Sequence, residues 1–190
     1  MRNLLLILIL LVFSTYSADA QMASELTLMP VPAKLQRGSG QLVVDQLFTV
    51  ALTGVKEGRL ESGVPRFFDQ LSRQTGMPLN GTMTDAAKAT LVMRTESSGH
   101  KVQDLEEDES YTLEVTPARA TLTAPTPLGA LHGLQTFLQL VQPTPTGFAV
   151  PALTIKDEPR FAWRGLLIDV CRHFIPLDVM KRNIDGMAAL

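Results

Sequence analysis

The sequence predicts an α+β domain, with one sheet and helices packed on a face, followed by one strand and one helix of a second domain. Short β-rich runs alternate with two amphipathic helical stretches over most of the chain, which is typical of helices layered on a sheet. A charged joint, Lys156–Pro159, separates them from a long apolar strand and a final helix. We place the two domains at residues 25–157 and 158–190.

The N-terminus has the three parts of a secretory signal peptide. A short basic start precedes the apolar run Leu4–Phe13, and the A-x-A sequence Ala18–Ala20 follows. The apolar run is much shorter than the roughly 20 residues that span a bilayer. We therefore expect residues 1–20 to be a signal peptide and the protein to be exported, to the periplasm or outside the cell, without stable membrane insertion.

Charge and cysteine content exclude several other classes. The formal net charge of −2 gives no indication of binding to nucleic acid. Cys171 is the only cysteine, so no disulfide can form within the chain. It lies in the apolar run Leu-Ile-Asp-Val-Cys, where a small buried residue is expected rather than a reactive nucleophile.

The first domain opens with two strands and a helix. Gln41–Val44 and Leu47–Leu52 are β-rich runs that predict strands joined by a tight turn. Apolar residues at helical spacing then predict a helix between Glu57 and Gly76. Because Pro65 is unfavourable inside a helix, we expect this helix to begin near Ser62.

A strand, an acidic loop and a hairpin follow. Thr90–Arg94 predicts a short strand, and Tyr111–Val115 with Ala120–Ala124 predicts a hairpin. Between them, Glu106–Glu109 could hold Ca²⁺, but the run lacks the alternating ligands and the turn glycine of a calcium loop. We expect a solvated loop there.

A second amphipathic helix completes the layer. Leu128–Val141 carries its apolar residues along one stripe, and His132 lies on or near that stripe. A packed or half-exposed histidine is expected there rather than a functional one. The strand Phe148–Ile155 then ends the first domain.

The second domain begins with an unusually apolar strand. Trp163–Cys171 holds a single charged residue, Asp169, between Arg164 and Arg172, which is typical of a strand covered on both faces. A helix follows from Pro176 onward. One strand and one helix cannot close a sheet, so their apolar faces need partners beyond these residues.

Few residues have the spacing of a known reactive site. The three histidines, His100, His132 and His173, are far apart, and no metal-binding, nucleophile-elbow or phosphate-loop motif occurs. We expect no metal and no cofactor. If the strand belongs to a (β/α)₈ barrel, Asp169, Arg172 and His173 lie at its C-terminal end, where such barrels have their active sites. An ion-paired loop that holds strand to helix explains these residues equally well.

Residues 159–173 read P-R-F-A-W-R-G-L-L-I-D-V-C-R-H. They resemble the start of the catalytic barrel in glycoside hydrolase family 20, the β-N-acetylhexosaminidases, whose pattern here is W-R-G-x-x-x-D-x-x-R-H. Glu109–Leu113 and Ala124–Leu140 are similar to the last strands and helix of that family's small N-terminal α+β domain. The resemblance covers essentially all of the predicted mature chain.

The resemblance implies both a fold and an activity. Residues 158–190 would be the first strand and helix of a truncated (β/α)₈ TIM barrel. The family hydrolyses terminal, non-reducing β-linked N-acetylglucosamine or N-acetylgalactosamine from glycans or chitin oligomers, with assistance from the substrate's own acetamido group. Its catalytic Asp-Glu pair lies on a later barrel strand, so no catalytic residue is assigned here and the chain alone is expected to be inactive.

One substrate contact carries over from the family. Arg164 aligns with the arginine that binds the 3- and 4-hydroxyls of the terminal sugar, and a planar guanidinium suits a vicinal diol. Asp169, Arg172 and His173 match the motif too, and we expect them to support the site or to form its rim.

Two other functions remain possible. A secreted, non-catalytic module could bind a glycan or a protein, but the apolar strand and helix would then expose an adhesive surface. A different glycosidase with a similar front domain, such as an α-glucuronidase or an O-GlcNAc hydrolase, is disfavoured by the W-R-G…R-H strand.

Overall fold

The computed structural model describes residues 26–189, so the predicted signal peptide at residues 1–20 lies outside the described residues. Seven strands and three helices follow one another in the described chain. Their bounds are β1 Lys34–Val44, β2 Val50–Gly54, α1 Gly58–Thr75, β3 Leu91–Thr95, β4 Tyr111–Val115, β5 Ala120–Ala124, α2 Pro127–Leu140, β6 Gln142–Thr144, β7 Gly147–Asp157 and α3 Leu177–Ala188.

All seven strands form one mixed sheet in the order β1-β7-β4-β5-β3-β2, with β6 paired to β7. The β4–β5 hairpin and the β1–β7 and β4–β7 pairs are antiparallel, whereas β3 is parallel to both β2 and β5. The predicted hairpin between β4 and β5 is therefore confirmed.

The core lies on one face of this sheet, under α1 and α2. Along β4, Tyr111, Leu113 and Val115 are buried, while Thr112 and Glu114 between them are partly or fully exposed. This alternation is what a sheet with one covered face requires. Helix side chains pack directly onto it in a single apolar cluster. The predicted α+β architecture, one sheet with helices on a face, is confirmed.

Helix α1 begins earlier than the sequence suggested. It starts at Gly58, where the Glu57 side chain accepts a hydrogen bond from the Arg59 backbone N–H and caps the first turn. Pro65 therefore lies inside the helix rather than near its start at Ser62, and that prediction was wrong. Burial explains the difference, because Leu60 and Gly63 are already packed in the core before the proline.

Replacing Pro65 by alanine should stabilise the domain. Pro65 is exposed, donates no backbone hydrogen bond and crowds the preceding turn, so its removal restores a helical bond to Glu61. We expect the free energy of unfolding to rise by about 1–3 kcal/mol, less the entropy that proline removes from the unfolded chain. Urea unfolding measures this, with Arg66→Ala at the next exposed position as control. A less stable P65A protein would contradict the interpretation.

The two N-terminal strands do not form the local pair that their spacing suggested. β1 is paired with β7 at one end of the sheet order, while β2 is paired with β3 at the other. A short connection at Asp45–Thr49 predicts a hairpin only when nothing else competes for the strand edges. Here the long β7 strand offers β1 a better partner, since the two strands share eight paired positions.

Residues 163–171 have no strand structure and are largely exposed. A strand needs a neighbour for its backbone groups, and none lies beside this segment within residues 26–189. Cys171 is exposed for the same reason, contrary to the expectation of burial. The helix predicted after Pro176 is present as α3, but it buries none of its residues.

Candidate functional site

Three side chains from distant parts of the sequence meet where the sheet domain contacts the segment that follows it. Glu109 Oε2 accepts a short hydrogen bond from Arg164 Nη2 and lies 2.7 Å from His132 Nε2. Arg164 Nη1 also donates to the backbone carbonyl of Phe161 at 2.7 Å. The Glu109 side chain is only 11% exposed. One oxygen of a mostly buried carboxylate therefore contacts both a histidine and an arginine.

The backbone around Glu109 is fixed by its contact with helix α2. Thr126 donates its hydroxyl to the carbonyl of Asp108 at 2.6 Å, just before the helix begins. Gly129 lies against the carbonyl of Ser110 so closely that a Cβ there would be 2.1 Å from the oxygen. Because Gly129 and His132 are three residues apart on one helix, the same packing sets Glu109 and its histidine partner together.

The acidic run was expected to be solvated, and for two of its members that was wrong. Glu107 is 7% exposed, with Arg59 Nη1 3.7 Å from its carboxylate, and Glu109 is bound as described above. His132 is half-buried, as expected for a histidine at the margin of the helix stripe. The one sequence signal at Glu109 was its place in the E-S-Y segment of the family resemblance. The partners of Glu109, His132 and Arg164, come close to it only in the folded chain.

A second network fixes the residue at which the sheet domain ends. Tyr111 donates its hydroxyl to Asp157 Oδ2 at 3.1 Å and lies 2.6 Å from Thr136 Oγ1. The other oxygen of Asp157 accepts the backbone N–H of Ala33 at 2.9 Å. The end of β7 is thus attached to β4, to α2 and to the beginning of β1. The segment that follows leaves the sheet from a fixed point.

Tyr111 should make the protein's stability depend on pH under alkaline conditions. Burial, followed by the nearby charge of Asp157, raises the pKa of the Tyr111 phenol above its ordinary value. This stabilisation is complete below about pH 10, the unfolded pKa, and is lost as the pH rises through the folded pKa. We expect the free energy of unfolding to fall above about pH 10, and Tyr111→Phe to flatten that dependence.

Phenolate absorbance and urea unfolding across this pH range measure the effect in the chain from Gln21 onward, where Tyr111 is the only tyrosine. Ionisation of Tyr111 at its ordinary midpoint in the folded protein would contradict the interpretation.

Asp169, Arg172 and His173 lie apart from the Glu109 cluster, at the other end of the apolar segment. Asp169 accepts the backbone N–H groups of Cys171 and Arg172, and its second oxygen is 2.5 Å from Arg172 Nε. These bonds, chiefly that of the Arg172 backbone, hold the pKa of the Asp169 carboxyl below its usual value. The Arg172 side chain is 90% exposed, and His173 is exposed as well. The structure therefore separates Arg164 from the other three candidate residues.

A pocket of about 310 Å³ lies next to the Glu109 cluster, between α2 and the joint after β7. Its walls include Tyr111, His132, Gln139, Phe161 and Arg164. Within residues 26–189 no three His, Cys, Asp or Glu side chains are grouped as metal ligands. In the same described part of the chain, no helix is both long and apolar enough to cross a membrane.

Two domain models of one known family together match nearly the whole described chain. The model for glycosyl hydrolase family 20, domain 2, matches residues 25–158, and the model for that family's catalytic domain matches residues 161–190.

Individual relatives agree with the family models. Beta-hexosaminidase 1 of Arabidopsis thaliana is 31% identical, over 99% of this chain and 38% of its own length. The beta-hexosaminidase of Vibrio furnissii is 32% identical, over 87% of this chain and 25% of its own length.

Two solved structures share the fold. Flavobacterium johnsoniae chitobiase has a TM-score of 0.78 at 39% identity, covering 85% of this chain and 25% of that one. Streptomyces plicatus N-acetyl-beta-hexosaminidase has a TM-score of 0.70 at 29% identity, covering 85% of this chain and 32% of that one. This chain thus spans between 25% and 38% of the length of these four proteins. Sequence, fold and domain match agree, and the chain belongs to glycosyl hydrolase family 20.

Proposed function

We propose that this chain, within a complete family 20 protein, serves the hydrolysis of terminal, non-reducing β-linked N-acetylhexosamine from glycans or chitin oligomers. The observation that supports this most is the match of residues 161–190 to the family's catalytic domain, directly after a matched domain 2. Relatives named beta-hexosaminidase, together with a chitobiase of the same fold, support the same substrate class.

The proposed reaction uses the substrate as its own nucleophile. The oxygen of the 2-acetamido group attacks the anomeric carbon, the glycosidic bond breaks, and the departing oxygen takes a proton from a carboxylic acid of the catalytic domain. Water then opens the cyclic oxazolinium intermediate, and the anomeric configuration is retained. We assign the acid, and the carboxylate that orients the acetamido group, to residues of the catalytic domain outside residues 161–190.

Two arginines are candidates for the sugar contact. The resemblance implies Arg164, and that assignment stays a prediction. Arg164 already donates to Glu109 and Phe161, which leaves three of the five guanidinium N–H groups for hydroxyls. Arg172 lies just after the apolar segment, at the end where barrel enzymes bind their substrates, and its side chain is 90% exposed. These observations favour Arg172 for the sugar and Arg164 for the contact between the domains.

Substitution in the complete protein distinguishes the two arginines. We expect Arg172→Lys to raise KM for an N-acetylglucosaminide about tenfold or more, because charged hydrogen bonds to the hydroxyls are lost. Arg164→Lys keeps a positive charge next to Glu109 and should have a smaller effect. A larger KM for Arg164→Lys than for Arg172→Lys would instead assign the sugar contact to Arg164.

Dependence on the acetamido group tests the reaction itself. The complete protein should hydrolyse 4-nitrophenyl N-acetyl-β-D-glucosaminide and leave 4-nitrophenyl β-D-glucoside intact, because only the first carries the internal nucleophile. Equal turnover of both compounds would contradict the proposed mechanism. Binding of chitin oligomers without turnover of either would favour the non-catalytic module instead.

We further propose that the protein is exported, to the periplasm or to the extracellular space, on the basis of the N-terminal sequence pattern alone. Detection of the protein with residues 1–20 removed, outside the cytoplasm, tests this location. Retention of those residues on a cytoplasmic protein would contradict it.

A further inference from the structure

One charged pair crosses between the two domains in the described part of the chain. Among the ion pairs formed between described residues, only Arg164–Glu109 joins the segment 158–189 to the sheet domain. Helix α3 buries none of its residues, so apolar packing adds little to the attachment of this segment. Without the pair, relative motion of the two parts is the expected state.

Glu109 is well placed to act as the fixed half of this pair. Its side chain is 11% exposed, His132 lies 2.7 Å from the same oxygen that binds Arg164, and the adjoining backbone is locked by Thr126 and Gly129. A carboxylate held in this way has little freedom to follow a moving guanidinium. Arg164 must instead conform to the position of Glu109.

The position of Arg164 has consequences farther along the segment. In a β-strand, side chains alternate between the two faces, so Arg164, Leu166 and Ile168 share one face once the segment is paired. Residues 170–172 form a turn after this stretch, and Asp169 holds the turn through the backbone N–H groups of Cys171 and Arg172. A shift of one residue would turn every side chain of the strand to the opposite face. Fixing Arg164 therefore fixes the phase of this stretch, and with it the point at which the turn that carries Arg172 begins.

We propose that Glu109 is a positioning residue of the catalytic domain. Held by His132, it binds Arg164 and so sets the phase of the first barrel strand, whose end leads into the turn that carries Arg172. As far as it concerns catalysis, this role rests on the proposed hydrolase function. The structural part of the proposal, the restraint of residues 158–164 by Glu109, can be tested without any activity.

Trp163, next to Arg164, is the only tryptophan of the chain and reports on this restraint directly. In the 190-residue chain, Glu109→Gln should lower the fluorescence anisotropy of Trp163. It should also raise the rate of tryptic cleavage after Arg160 about fivefold, because the segment opens more often. Far-UV circular dichroism verifies that the sheet domain remains folded.

Glu106→Gln is the matched control, since it removes the same charge from an exposed position in the same loop. It should leave both readouts unchanged. Arg164→Gln alters the pair from its more exposed side and should reproduce the effect of Glu109→Gln even if the glutamate variant folds poorly. Unchanged anisotropy and cleavage in Arg164→Gln, or equal changes in the Glu106→Gln control, would overturn the proposal.

In the complete protein, Glu109→Gln should raise KM for the N-acetylglucosaminide about fivefold while kcat changes much less, because substrate binding residues lose their placement. The Glu109→Gln/Arg164→Gln double variant should be no worse than the more impaired single variant, since both remove one interaction. Effects that multiply would overturn the positioning role.

A wild-type protein without turnover would refute the proposed function, while the Trp163 readout would still test the restraint.

Discussion

Replacing Gly129 by alanine should destabilise the sheet domain by about 2–4 kcal/mol, because its Cβ would overlap a backbone atom. The same change inside a helix normally stabilises a protein by up to about 1 kcal/mol. Here the new Cβ would lie 2.1 Å from the carbonyl oxygen of Ser110 and 3.0 Å from its carbon, and neither backbone atom can rotate away. Helix α2 or the segment 108–110 must therefore move.

Urea unfolding of the chain measures this loss, and Gly186→Ala in α3 is the matched control. Gly186 is also helical, but no atom lies within 4 Å of its would-be Cβ, so the ordinary gain in stability is expected there. Because Glu109 adjoins Ser110, the Gly129→Ala protein should also show the increased cleavage after Arg160 described above. Equal stabilisation by both changes would contradict the close approach.

Phe137→Ala should cost about 3–5 kcal/mol of unfolding free energy, the range for removing a large buried aromatic side chain. Phe137 is fully buried on the core side of α2, and its ring centroid lies 5.7 Å from that of Phe48 and 5.9 Å from that of Phe67 in α1. The aromatic contacts and the cavity both contribute to the cost.

The exposed Phe161 provides the control, because its side chain is 73% accessible in the described chain. Phe161→Ala should change the unfolding free energy by less than about 0.5 kcal/mol. Denaturant titration of both variants compares them directly. Similar losses from the two substitutions would contradict the placement of the core.

Local sequence patterns were sufficient to predict most strands and helices of the first domain. The β4–β5 hairpin and helix α2 were predicted nearly at their observed bounds, because turn residues and a helical apolar stripe act over short distances. The pairing of β1 was not predictable in the same way. Its partner, β7, lies more than a hundred residues later in the sequence, and no local signal identifies it.

Local sequence patterns also failed to identify the distant contacts of the candidate site. Arg164 was identified from its motif, but the ion pair with Glu109 joins residues 55 positions apart. The charged run at residues 106–109 predicted a solvent-exposed loop. This was wrong for two of its residues, because patterns in a single sequence cannot show which acidic side chain a helix will cover. The segment 163–171 was predicted as a buried strand from its composition. Its exposure follows from the lack of a neighbouring strand among the described residues.

We propose that this chain supplies the front domain and the opening of a catalytic domain, and that the remaining active-site residues belong to other parts of the complete protein. A side-by-side assay of the 190-residue chain and the complete protein with 4-nitrophenyl N-acetyl-β-D-glucosaminide tests it most directly. We predict turnover by the complete protein and none by the chain. Turnover by the chain at a comparable rate would contradict the claim.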